Sequence, residues 1–130
     1  MIMVGFVIVS HSRLLAEGAA ELGHMMAPDV PVEAAGGLPD GSVGTDYERI
    51  ASAIGRIRER SPEGVLIIPD MGSSCMTTEM VLEDIGDPQI IMVDCPFAEG
   101  TVAAMVEAAG EASLEEVKAA AEDARGVNKF

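Results

Sequence analysis

The sequence predicts an α/β fold: a doubly wound, four-stranded, mainly parallel sheet in the order 2-1-3-4, with helices on both faces. Three observations carry it. Short apolar runs of strand length recur at residues 4–9 (VGFVIV), 64–69 (GVLIIP) and 89–93 (QIIMV), with a weaker one at 30–35 (VPVEAA); such continuous runs belong to strands covered on both faces. Between them the apolar spacing changes to helical intervals. Finally, 130 residues that are 48% hydrophobic provide for one compact core, so a single domain is expected over 1–130.

The first strand, 4–9, breaks at Ser10-His11-Ser12. From Ser12 onward Leu15, Ala19, Leu22 and Met26 fall at helical intervals, and the helix ends before Pro28. The second strand runs into Gly36-Gly37 and a turn-rich loop holding Pro39, Asp40, Gly41 and Gly44. Thr45 and Glu48 read as a T-x-x-E capping box for a helix whose apolar face is Tyr47, Ile50, Ile54 and Ile57, stopped by Ser61-Pro62. The third strand, 64–69, turns tightly through 70–74 into a helix with Met76, Met80 and Ile85 inward, closed by Gly86 to Pro88. After the fourth strand comes a small-residue helix around Val102, Ala103 and Val106; Ser113 and Glu116 cap a last helix that runs to about Ala124. No repeat or linker interrupts the chain.

In the order 2-1-3-4 the winding reverses between the first and third strands, opening a crevice at their carboxyl ends where ligands bind. Two segments emerge there: Ser10-His11-Ser12 and Asp70-Met71-Gly72-Ser73-Ser74.

Charge narrows the function classes. A net charge of −14 repels polyanions, and 3% aromatic residues leave little for bases to stack on, so no nucleic-acid partner is expected. The opening apolar stretch, residues 1–9, is too short for a bilayer span and has no basic residue before Arg13. No membrane insertion is expected. Cys75 and Cys95 form neither a CxxC motif nor, with two histidines, a metal cluster, which fits a reducing cytoplasm. The acidity has three readings, a solvated surface, a face for a basic protein or adaptation to salt, and the confinement of lysine to Lys118 and Lys129 favours the third.

His11 follows directly after a buried strand, and Asp70 ends the adjacent one. The carboxylate can fix one ring nitrogen and leave the lone pair of the other free: a nucleophile with its orienter. Ser10, Ser12, Gly72, Ser73 and Ser74 add hydroxyls and the N–H groups of two helix starts, which suit a tetrahedral anion. Plainer readings stand beside this one. His11 could be structural, and Asp70 could simply cap the following helix. Neither GxxxxGK[ST] nor GxGxxG occurs, so no nucleotide cofactor is expected. G-x-S-x-G is also absent, which argues against a serine hydrolase.

VIVSHS and LAEGAAEL (7–12, 15–22), VGTDYE (43–48), DMGSS (70–74) and PFAEGTVAA (96–104) together resemble the DhaM family, the phosphotransferase subunits of phosphoenolpyruvate-dependent dihydroxyacetone kinases and relatives of the mannose-family enzyme IIA domains. The resemblance implies that His11 is the phosphorylated residue and Asp70 its hydrogen-bonding partner. It further implies HPr as phosphoryl donor, ADP on the kinase's nucleotide-binding subunit as acceptor, a substrate-binding subunit carrying dihydroxyacetone, and a homodimer. A mannose-family IIA component in sugar uptake, or a non-catalytic regulatory module, remains open at this point.

Overall fold

The computed structural model describes residues 2–130. Its sheet has four parallel strands in the order β2-β1-β3-β4, as expected: β1 (Gly5–Ser10), β2 (Val32–Gly36), β3 (Val65–Pro69) and β4 (Ile90–Met92). Five α-helices connect and follow the strands: α1 (Arg13–Met26), α2 (Tyr47–Arg60), α3 (Ser73–Ile85), α4 (Phe97–Ala109) and α5 (Leu114–Asp123), the last followed by a 3₁₀ turn, Ala124–Gly126.

Alternation along β1 and β3 divides the core in two. Phe6, Ile8, Leu66 and Ile68 point to a layer made by α1, α4 and α5; Val7, Val9, Val65 and Ile67 point to one made by α2 and α3. The α2 stripe falls where the sequence put it, with Ile50, Ile54 and Ile57 fully buried, each contributing about 1.5–3 kcal/mol. The Ser113–Glu116 capping box is likewise present at the start of α5.

Two other helix faces correct the sequence reading, and a third completes it. The buried residues of α1 are Ala16, Ala19 and Gly23, while Leu15, Leu22 and Met26 face outward. On α3 the inward side is Ser74, Thr78 and Val81, and Met76, Met80 and Ile85 are exposed. On α4, whose inner face the sequence reading left open, it is Gly100, Thr101, Ala104, Met105 and Ala108. These helices pack through small side chains because they lie close to their neighbours: a Cβ at Gly23 would overlap the Met105 sulfur of α4. Shape, not hydrophobicity, selects the inner face.

The capping assignment at α2 also shifts by one residue. Asp46 is the N-cap and accepts from the Arg49 N–H at 2.9 Å. A carboxylate at this position also complements the helix dipole, and Thr45 is left to the preceding loop.

Candidate active site

The site begins with strand register. Val9 of β1 lies beside Pro69 of β3, and the Asp70 N–H donates to the Val9 carbonyl at 2.9 Å. The residues that follow each strand therefore leave the sheet together, placing His11 against Asp70. Gly36 at the end of β2 lets α1 start close by, since a Cβ there would lie 2.6 Å from the Ser12 carbonyl oxygen.

The Asp70 carboxylate is the hub, with its side chain 8% exposed. Its Oδ2 accepts from the Ser10 hydroxyl at 2.8 Å and from the His11 backbone N–H at 3.1 Å. Its Oδ1 accepts from the Met71 N–H at 2.7 Å. The His11 Nδ1 lies 3.2 Å from Oδ1 and 3.3 Å from Oδ2. Burial of the carboxyl opposes its charge, but the Ser74 and Ser10 hydroxyls and the N–H groups of His11 and Met71 outweigh that and hold its pKa below the ordinary carboxylate value.

Asp70 does not cap α3. The N-cap is Gly72, held at φ 52°, ψ −119°, with no side-chain hydrogen bond to the helix start. Glycine tolerates that positive φ, and with no capping side chain the Ser73 N–H at the helix start is left to an outside acceptor, while the Ser74 and Cys75 N–H groups donate to the Met71 and Gly72 carbonyls at 3.1 and 3.0 Å. The other face of the imidazole belongs to the same turn: Ser73 Oγ is 2.7 Å from Nε2 and Ser74 Oγ is 3.2 Å from Nδ1.

Ser10 and Ser12 have partners within the scaffold. The Ser10 hydroxyl, bound to Asp70, also accepts from the Ser12 N–H at 3.0 Å, and the Ser12 hydroxyl caps α1 by accepting from the Leu15 N–H at 3.2 Å. Arg13 turns away to Glu17. His24 is occupied elsewhere, its Nε2 donating to the Val30 carbonyl at 3.1 Å. Cys75 and Cys95 border a groove of about 350 Å³ beside Asp70; burial raises both thiols, Cys95 to about 11.

One residue of the site escaped the sequence. Thr45 Oγ1 lies 2.9 Å from Ser73 Oγ, carried there by the loop after β2, whose Gly44 N–H donates to the His11 carbonyl at 2.9 Å.

A doubly wound domain with a histidine and an aspartate joined at its switch point has known counterparts. A family model described as the PTS system fructose IIA component matches residues 5–118, and the chain belongs to this IIA family of the phosphotransferase system. Among curated relatives, a Listeria innocua phosphoryl donor subunit DhaM of PEP-dependent dihydroxyacetone kinase 1 is 36% identical over 99 residues, covering 76% of this chain and 77% of the relative. The Lactococcus lactis DhaM is 34% identical over 116 residues, covering 88% and 89%. The Escherichia coli DhaM is 36% identical over 123 residues, with 88% of this chain matching 25% of that longer protein. A solved structure titled unknown function protein EF1359 superposes with a TM-score of 0.83 at 26% identity, over 99% of both chains. Within the IIA family the chain is a DhaM-like subunit. Among the described residues no helix is long and apolar enough to cross a membrane.

Proposed function

We propose that the chain is the phosphoryl donor subunit of a phosphoenolpyruvate-dependent dihydroxyacetone kinase, a single cytoplasmic carrier domain that works through a phosphohistidine at His11. One observation carries the reading: Asp70 holds Nδ1, while Nε2 meets, among the described residues, only the Ser73 hydroxyl on the open side of the crevice. An ionised carboxylate can only accept hydrogen bonds, so the ring proton resides on Nδ1 and the lone pair on Nε2.

In the first step that lone pair attacks the phosphorus of phospho-HPr. The new bond is Nε2–P; the donor's P–N bond breaks and its electron pair stays with HPr. Nδ1 keeps its proton, and the positive character that develops on the ring is balanced by Asp70. The transferred oxygens meet the Ser73 hydroxyl and the Ser73 N–H at the positive end of the α3 dipole, which stabilise anionic charge. In the second step a terminal phosphate oxygen of ADP, held by the nucleotide-binding subunit, attacks the phosphorus. The N–P bond breaks, its electrons return to Nε2, and ATP forms for transfer to dihydroxyacetone on the substrate-binding subunit. The names of the relatives support this choice of pathway.

A homodimer completes the proposal. Leu22 and Val127 are exposed apolar side chains that line, with Val102 and Ala103, a groove of about 680 Å³ between α1, α4 and the C-terminal segment, and a second copy would cover them.

The test is discharge of the isolated phosphoprotein. It should be stable to free ADP and to free dihydroxyacetone, and should lose its phosphoryl group when the ADP-loaded kinase subunit is added, with ATP as product. Discharge by a sugar-transporter IIB domain but not by the kinase subunits would replace the dihydroxyacetone assignment with sugar uptake.

A further inference from the structure

Hydroxyl direction at the site can be followed residue by residue. With Asp70 ionised, Nδ1 donates and Nε2 must accept, so the 2.7 Å contact from Ser73 Oγ is an O–H donated to the ring. That uses the only proton of Ser73. The 2.9 Å contact with Thr45 Oγ1 is then donated by Thr45 and accepted by Ser73. A single chain of donors results, from Thr45 to Ser73 to the lone pair of Nε2.

This order has a consequence for the reaction site. In the unmodified protein Ser73 covers the lone pair that must attack. Once a phosphoryl group is on Nε2 that lone pair is gone, and the Ser73 O–H can only turn to a phosphoryl oxygen. Its own oxygen is still held by Thr45, so the hydroxyl pivots about a fixed point instead of rotating freely. Thr45 reaches this place through backbone that is independently tied: the Gly44 N–H is bonded to the His11 carbonyl, and Asp46 caps α2.

We infer that Thr45 is a positioning residue for phosphoryl transfer, holding Ser73 so that one hydroxyl serves Nε2 before the transfer and the phosphoryl oxygens after it. The inference rests on the phosphohistidine reading of His11. It involves no additional bond to phosphorus and no proton transfer beyond the rotation of one hydroxyl.

Thr45→Val removes the hydroxyl at nearly constant shape and leaves the Gly44 and Asp46 bonds in place; Thr45→Ser retains it. Each variant is phosphorylated with phosphoenolpyruvate, enzyme I and HPr, its thermal midpoint is recorded, and two rates are read: formation of the phosphohistidine, and its spontaneous hydrolysis after the partners are removed. The second rate involves no docking. Thr45→Val should unfold at the wild-type temperature, form phosphohistidine about tenfold more slowly and lose it about tenfold faster, the scale of one hydrogen bond; Thr45→Ser should restore both. Wild-type rates in Thr45→Val, or equal defects in Thr45→Ser, would overturn the role of Thr45. Failure of the wild-type protein to be labelled at all would instead overturn the reading of His11.

Discussion

Asp70 Oδ2 accepts the backbone N–H of His11 at 3.1 Å and lies 3.3 Å from Nδ1 of the same residue's ring. One carboxylate thus fixes both the main chain that carries the imidazole and the imidazole itself, across 59 residues of sequence. Orientation of the nucleophile and closure of the loop that bears it are a single structural feature.

Asp70→Asn should separate those roles. An amide oxygen can still accept from the His11 N–H, but the charge opposite Nδ1 is lost. The variant should remain folded while phosphoryl transfer falls by about a hundredfold, as for loss of an orienting carboxylate. Asp70→Ala should additionally cost about 1–3 kcal/mol, because the buried Ser10 hydroxyl loses its acceptor. Denaturant titration together with single-turnover phosphorylation distinguishes the two effects.

The lowered pKa of Asp70 fixes the sign of a pH effect. A carboxyl depressed in the folded state contributes stability above its unfolded pKa of about 3.9, and loses it as pH falls through the folded value. The stability gap between wild type and Asp70→Asn should therefore be constant near neutral pH and shrink below about pH 4. A gap that widens with acid would contradict the hydrogen-bonding described for this carboxylate.

His24 is bonded to the backbone of Val30. His24→Ala should accept the same phosphoryl load as wild type and lose about 0.5–1.5 kcal/mol through its bond to the Val30 carbonyl. Quantitative labelling and a melting curve of the one variant check both statements.

Packing of α3 offers a test away from the chemistry. Met76→Glu and Met80→Glu should change stability by less than about 0.5 kcal/mol, because both side chains are exposed. Val81→Ala, fully buried between α3 and the sheet, should cost about 2 kcal/mol. Urea midpoints rank the three variants, and a reversed ranking would restore the Met76 face to the core.

The sheet was legible because buried parallel strands must be apolar throughout, and β1, β3 and β4 say so within a residue or two. Winding rules only restrict the strand order; 2-1-3-4 was one order they allow, and the structure has it, so that His11 meets Asp70. The inner faces of α1, α3 and α4 were not legible, since close approach admits Ala16, Gly23 or Ser74 and turns the larger Leu22 and Met76 outward. Thr45 was misread for a related reason. Its spacing to Glu48 imitates a cap, yet the adjacent Asp46 takes that place, and the partner of Thr45 is a residue 28 positions away, a pairing that local pattern does not encode.

The most direct measurement identifies the phosphorylated atom. After incubation with phosphoenolpyruvate, enzyme I and HPr, peptide mapping locates the acid-labile phosphoryl group, and phosphorus and nitrogen NMR of the intact protein assign the ring nitrogen. One group per chain on Nε2 of His11, absent from His11→Gln, is the expected result. A phosphoryl group on Nδ1, on His24, or on no histidine would contradict the role given to Asp70 and the function built on it.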